Sequence, residues 1–227
     1  TGVRITISRH NEKSEIKDLV AAMVYHFPKA LEDTHTNIRR VCKAFKLAVK
    51  SKEEDKVQTD LIVKIEDSIL KIDKTLWNNC VGKHGVYDWE GLKFLEEAFS
   101  GNDLEEHNWA FHYLIIYDQN HNLVLATFLT VGLWKDDMLA KVSASKIIEE
   151  ERKTNPYYLT SKVMSIGSLF TEGNHLFIDD KHPLKHQALH SLMQSMETLE
   201  QRFNAKMVVL RDFSEHDPLH PYFQGQG

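Results

Sequence analysis

The chain of 227 residues has only two cysteines, Cys42 and Cys80, far apart and without a CxxC pattern. This excludes a thiolate zinc site or a disulfide framework and fits a reducing compartment, so a cytoplasmic location is expected. Basic residues are not in excess. With 28 Lys and Arg against 33 Asp and Glu the formal net charge is −5, which argues against a nucleic-acid binder driven by bulk phosphate attraction. No apolar run approaches the roughly 20 residues of a membrane helix. No period of 20 to 50 residues recurs, which excludes a repeat architecture. The sequence also lacks HExxH. Thirteen histidines remain, and His186/His190 and His216/His220 have the i, i+4 spacing of paired ligands. His186 and His190 fall opposite the core stripe of their helix, so they are expected to face solvent and no metal site is assigned.

What is present is a globular composition, 42% hydrophobic and 27% charged, with clear periodicities. Residues 161 to 213 carry the strongest pattern. An apolar run from Val163 to Phe170 breaks at Thr-Glu-Gly-Asn, and after His182-Pro183 a helix follows with Leu184, Ala188, Leu192, Met196, Leu199 and Phe203 spaced by four or three. Met207 to Leu210 then reads as a strand covered on both faces. Strand, helix and strand in this order make a crossover with two parallel strands, whose carboxyl ends usually flank a ligand crevice. Those ends carry Thr171 to His175 and Arg211 to Phe213.

Upstream, Val3 to Ile7 alternate as a short strand, and a helix capped by Asn11 runs to Phe27. A second amphipathic helix spans Thr34 to Lys50, with Arg39, Arg40 and Lys43 around its polar side. That face is either simply solvated or a docking surface for an acidic partner. A charged hinge, residues 51–56, marks the preferred domain boundary. Leu61 to Ile65 reads as a strand, Ile69 to Trp77 as a helical face, and Asp88 caps a helix through Phe99. Trp109 to Tyr117 and Leu123 to Leu133 form a hairpin, and Ala144 to Lys153 a charged surface helix. The expected class is therefore α+β: a mixed sheet with helices on both faces, preceded by a short strand-helix segment and a helical linker.

The stretch GVRITISRHNEKSEIKDLVAAMVYHF resembles the C-terminal tail of the PLP-dependent α-oxoamine synthases, the group that includes 8-amino-7-oxononanoate synthase. The hairpin WAFHYLIIYDQNHNLVLATFLTVGLWKDDM, the stretch SIGSLFTEGNHLFID with the long helix after it, VVLRDF and Trp77 resemble the GNAT N-acyltransferase fold, in the variety found in Fem-type transferases. Together these imply residues 1–32 as the end of a synthase domain, 33–56 as helix and hinge, and 57–227 as a GNAT-like domain. That domain would be truncated at its C-terminus, and the PLP lysine would lie upstream of this chain. The phosphate-loop pattern of ordinary GNAT enzymes is absent, since Gly167 and Gly173 are isolated.

The resemblance implies an acyl-CoA or acyl carrier protein thioester as donor, a small-molecule amine as acceptor, and a homodimer among the partners. By position Glu172 and His175 are the candidate bases, and Arg211 and Asp212 are candidates for binding substrate. His182 and Lys185, at the helix start, are candidates for the CoA pyrophosphate. Each has a bland alternative: Thr-Glu-Gly-Asn is good turn chemistry, and an adjacent Arg and Asp can belong to a structural ion pair or point to opposite faces. Two functions are expected to compete, an acyltransferase and a non-catalytic docking or oligomerisation module of the synthase. An open, polar-lined crevice favours the first and a plugged one the second.

Overall fold

The computed structural model describes residues 3–7, 60–84, 87–138, 140–213, 217–219 and 222–223. The helices expected from Asn11 and Thr34, the charged hinge, His216 and His220 lie outside these. The described residues form an α+β fold around one mixed sheet. Its strands are β1 (Val3–Ile7), β2 (Leu61–Glu66), β3 (Ala110–Asp118), β4 (Leu123–Lys135), β5 (Thr160–Ile166), β6 (Leu176–Ile178) and β7 (Met207–Phe213). The helices are α1 (Lys74–Asn79), α2 (Trp89–Ala98), α3 (Val142–Arg152) and α4 (Lys185–Phe203). The sheet order is β1-β7-β5-β4-β3-β2, with β6 added against β4.

Local chemistry accounts for several element ends. Asp73 and Asp88 cap α1 and α2, accepting hydrogen bonds from the backbone of Leu76 and Gly91. The β3–β4 hairpin is held by Asp118, whose carboxylate accepts from Asn120 N, Asn122 N and Asn122 Nδ2. These bonds hold the Asp118 carboxyl below its usual range, that from the Asn122 side chain most of all.

Alternation along β3 divides the core between the two faces of the sheet. Leu114 and Ile116 pack with Ala188, Leu192 and Met196 of α4, whereas Tyr113 and Ile115 pack with Ile69, Trp77 and Leu92 on the α1–α2 side. Helices therefore cover both faces, as the pattern predicts. Leu192 is fully buried, and loss of such a side chain costs roughly 2 to 5 kcal/mol.

The crossover is present: β5 and β7 are parallel neighbours, pairing Val163 with Met207, Met164 with Val208 and Ser165 with Val209. Three details differ from the sequence reading. The strand expected to run to Phe170 stops at Ile166, because Gly167 takes a left-handed φ of 73° and its N–H bonds to Phe128 O on β4. The break region holds a third, unexpected strand, β6, which pairs Leu176 to Ile178 with Leu125 to Thr127. The long helix starts at Lys185 rather than at His182-Pro183, since His182 N–H bonds back to Asp179 O in a preceding turn.

Candidate functional site

The two parallel strands part beyond Ser165 and Val209. Gly167 bridges to Leu129 on β4 while β7 pairs with β1, matching Leu210 with Ile5. Into the resulting gap the loop 168–175 folds back, and three of its polar residues, Ser168, Thr171 and His175, are buried. Ser168 N–H bonds to Thr171 Oγ1, which in turn lies 2.8 Å from His175 Nε2. The ring of His175 is about 1% exposed and sits directly over Gly167. A Cβ at Gly167 would stand 2.7 Å from that ring, so the position tolerates glycine alone for both space and φ.

His175 Nδ1 has no hydrogen-bond partner, and Asp212 Oδ2 lies 3.7 Å away. Its tautomer follows from charge. A lone pair on Nδ1 would face a carboxylate, so the proton belongs on Nδ1 and Nε2 accepts from the Thr171 hydroxyl. Burial pushes the His175 pKa down to about 4, the Asp212 charge opposing and Arg211 assisting, so the ring is neutral at pH 7. Asp212 has a φ of 64°, which ends the alternation of β7 and turns its carboxylate beside Arg211. Arg211 donates from Nε to Asp212 Oδ2 at 2.8 Å and from a terminal nitrogen to Ser168 O, so its guanidinium spans the gap between the strand ends. The Asp212 side chain retains 25% exposure against 10% for Arg211, which leaves the carboxylate as the reachable group of the cluster.

Of the candidates from the sequence, His175, Arg211 and Asp212 are thus brought together. Arg211 and Asp212 do not point to opposite faces, because the left-handed Asp212 breaks the strand's period. Glu172 is exposed and has no hydrogen bond or ion pair among the described residues, so it does not join the cluster. His182 and Lys185 are engaged elsewhere: His182 Nε2 lies 3.3 Å from Asp118 Oδ2, and Lys185 Nζ donates to Asp180 O. His186 and His190 are exposed, as the helix period requires. Among the described residues no group of three His, Cys, Asp or Glu is placed to hold a metal.

The sequence reading missed Ser168, Thr171 and Tyr87. Tyr87 donates its hydroxyl to Asn174 O at 2.8 Å, and its ring lies 4.7 Å from that of His175. Burial, with a smaller contribution from the Asp212 charge, raises the Tyr87 pKa to about 12. Nothing local marks Tyr87, since 88 positions separate it from His175. Thr171 was readable only as a turn former, and Ser168 lay inside the run read as a strand.

At the mouth of the loop, Phe170 is 62% exposed and leans on Trp109 and Phe99, which stack with centroids 3.9 Å apart. A surface cavity of about 610 Å³ lies away from this cluster, along Met138, Val142 and Lys146 of the β4–β5 arm. Comparison with family models, with curated proteins and with solved structures finds no match to this chain.

Proposed function

We propose that residues 57–227 form a GNAT-like acyltransferase domain that moves an acyl group from a thioester to an amine. One observation carries this reading: a buried imidazole nitrogen without a partner faces a partly exposed carboxylate at the point where two parallel strands part. A buried unsatisfied nitrogen costs roughly 1 to 3 kcal/mol, a cost that function can offset. The reaction asks for little more than such a group. The amine lone pair attacks the thioester carbonyl, a C–N bond forms and the C–S bond breaks. The proton that the amine loses passes through the Asp212 carboxylate to the departing thiolate. His175, neutral and held by Thr171, keeps an N–H aimed at Asp212 and positions it. The amine would be the product of the oxoamine synthase implied upstream.

The donor that fits best is an acyl carrier protein. Its phosphopantetheine arm lacks the nucleotide diphosphate of CoA and needs no phosphate cradle. Residues 171–184, which follow the crossover strand, are committed instead to β6 and its turns, with His182 and Lys185 already bonded. A second reading, a non-catalytic docking or oligomerisation module, is favoured by Arg211 and His175, which fill the gap.

One assay separates the two. The full chain is given acyl carrier protein and acyl-CoA thioesters with a panel of amines, and free thiol and thermal protection are followed. Thiol release is expected with the carrier-protein donor, and Asp212→Asn should reduce it by about a hundredfold or more without lowering the melting temperature. Neither thiol release nor protection from any donor would leave the docking module as the function.

A further inference from the structure

The outer edge of the sheet at β2 carries a self-complementary pattern. β3 lies on one side of β2, and among the described residues no strand pairs with its other side. Such an edge offers unpaired N–H and C=O groups to a further strand, and natural edges are usually blunted by charge or twist. β2 instead leaves two β-branched side chains in the open, Val63 at 39% and Ile65 at 41% exposure. They share the face of Leu61, on the α4 side, while Lys64 and Glu66 stand on the other face.

We infer that β2 pairs antiparallel with β2 of a second copy of this chain, extending the sheet through a two-fold axis at Ile65. The choice of a second copy rests on charge. A two-fold axis normal to the sheet keeps faces matched, so each residue meets one of the same parity. An axis at Lys64 opposes that ammonium with its own copy, and one at Val63 opposes Asp60 with Glu66. An axis at Ile65 opposes Lys64 with Glu66 twice and stacks Ile65 on itself, and Val63 then meets Asp67 just past the strand end. Cross-strand pairs of opposite charge stabilise a ladder and like pairs destabilise it. Lys71 Nζ donates its hydrogen bond to Asp67 at 2.6 Å and stands 3.8 Å from Glu66, so it holds that carboxylate only loosely. An axis at Ile62 would also match charges, Asp60 with Lys64, but it leaves the exposed Ile65 beyond the ladder, whereas the Ile65 axis covers that side chain and leaves out Leu61, which is already buried, and Ile62.

The test is the mass of the full chain in solution by light scattering and sedimentation. Wild type is expected to be a dimer, and Lys64→Glu to weaken it at least about tenfold, since two attractive pairs become repulsive. The double variant Lys64→Glu/Glu66→Lys should restore the dimer, because the pairs re-form with signs exchanged. Lys64 is exposed, and an unchanged far-ultraviolet circular dichroism spectrum of the variants checks that they fold. A monomeric wild type overturns the inference. So does a dimer indifferent to Lys64→Glu, which must use another surface. Failure of the double variant to rescue overturns the Ile65 axis. None of these outcomes depends on acyl transfer, so the two proposals fail separately.

Discussion

Two buried polar clusters in this protein are built from similar groups to opposite ends. In the β4–β5 arm, Arg152 is 5% exposed by its side chain, yet its donors are occupied: Asp137 and Glu149 at 2.7 Å, and the carbonyls of Tyr158 and Leu159 at 2.9 Å. At the β5–β7 gap, His175 is equally buried and one of its nitrogens is unmatched. Both clusters use a left-handed residue, Leu159 with a φ of 50° and Asp212 with 64°. Left-handed backbone alone therefore does not mark a site. In the arm it aims a carbonyl at Arg152 and completes a satisfied network, whereas at the gap it leaves a carboxylate beside a group it does not bond. A satisfied buried charge network rigidifies, and a partly satisfied one holds capacity for another partner.

The largest expected effect breaks the satisfied cluster. Arg152→Ala strands the Asp137 carboxylate in the interior and removes the donor from two carbonyls, which should cost about 3 to 5 kcal/mol in urea unfolding. His175→Gln, which removes no buried charge, should cost much less. Equal losses would mean that the gap cluster is as structural as the arm.

Acid separates the clusters next. Burial holds the His175 pKa at about 4 in the fold, below its ordinary 6.5. The unfolded chain therefore binds the extra proton first as pH falls. The contribution of neutral His175 is complete above pH 6.5 and is lost between there and 4, at most roughly 3 kcal/mol. His112, also lowered by burial, adds to the same window, so the test is the difference between wild type and His175→Gln. Asp137 behaves differently. Its hydrogen bond from Arg152 holds its carboxyl below the usual range, so that stabilisation is kept through this window and lost only at lower pH. A variant with the same acid slope as wild type would show that His175 is not desolvated as described.

The comparison also explains what the sequence made legible. Periodicity located the hairpin, the crossover and α4, because buried faces impose their spacing over many residues. The class followed from element order. Strand β6 escaped because Leu176-Phe177-Ile178 is too short to show a period, and it is held by its ladder to β4 and by core contacts that form only in the fold. Arg152 reads as one charge in the run EEER of a surface helix. It becomes buried because Tyr158 and Leu159 return over it, a contact set by a left-handed turn that leucine does not advertise. Likewise His175, Arg211 and Asp212 were candidates by their place at strand ends. The orphan nitrogen, the hydroxyl of Thr171 and the ring of Tyr87 exist only once four distant segments converge.

The smallest effects concern the two left-handed residues, and they sharpen the contrast most. Leu159 is 44% exposed and contributes to its cluster through its carbonyl. Leu159→Gly keeps that carbonyl and removes the crowding of Cβ against the backbone, so a gain of about 1 kcal/mol is expected. Asp212→Gly also removes Cβ from a left-handed position, but aspartate tolerates that region better, and the variant gives up the bond from Arg211 Nε. Its net effect on stability should be near zero, while the proposed acyl transfer should be lost. If Asp212→Gly instead stabilises more than Leu159→Gly, the fold holds Asp212 against its own preference with nothing structural in return, which sharpens the functional reading. If it destabilises by several kcal/mol, Asp212 anchors the gap as Arg152 anchors the arm, and the two clusters differ in geometry alone.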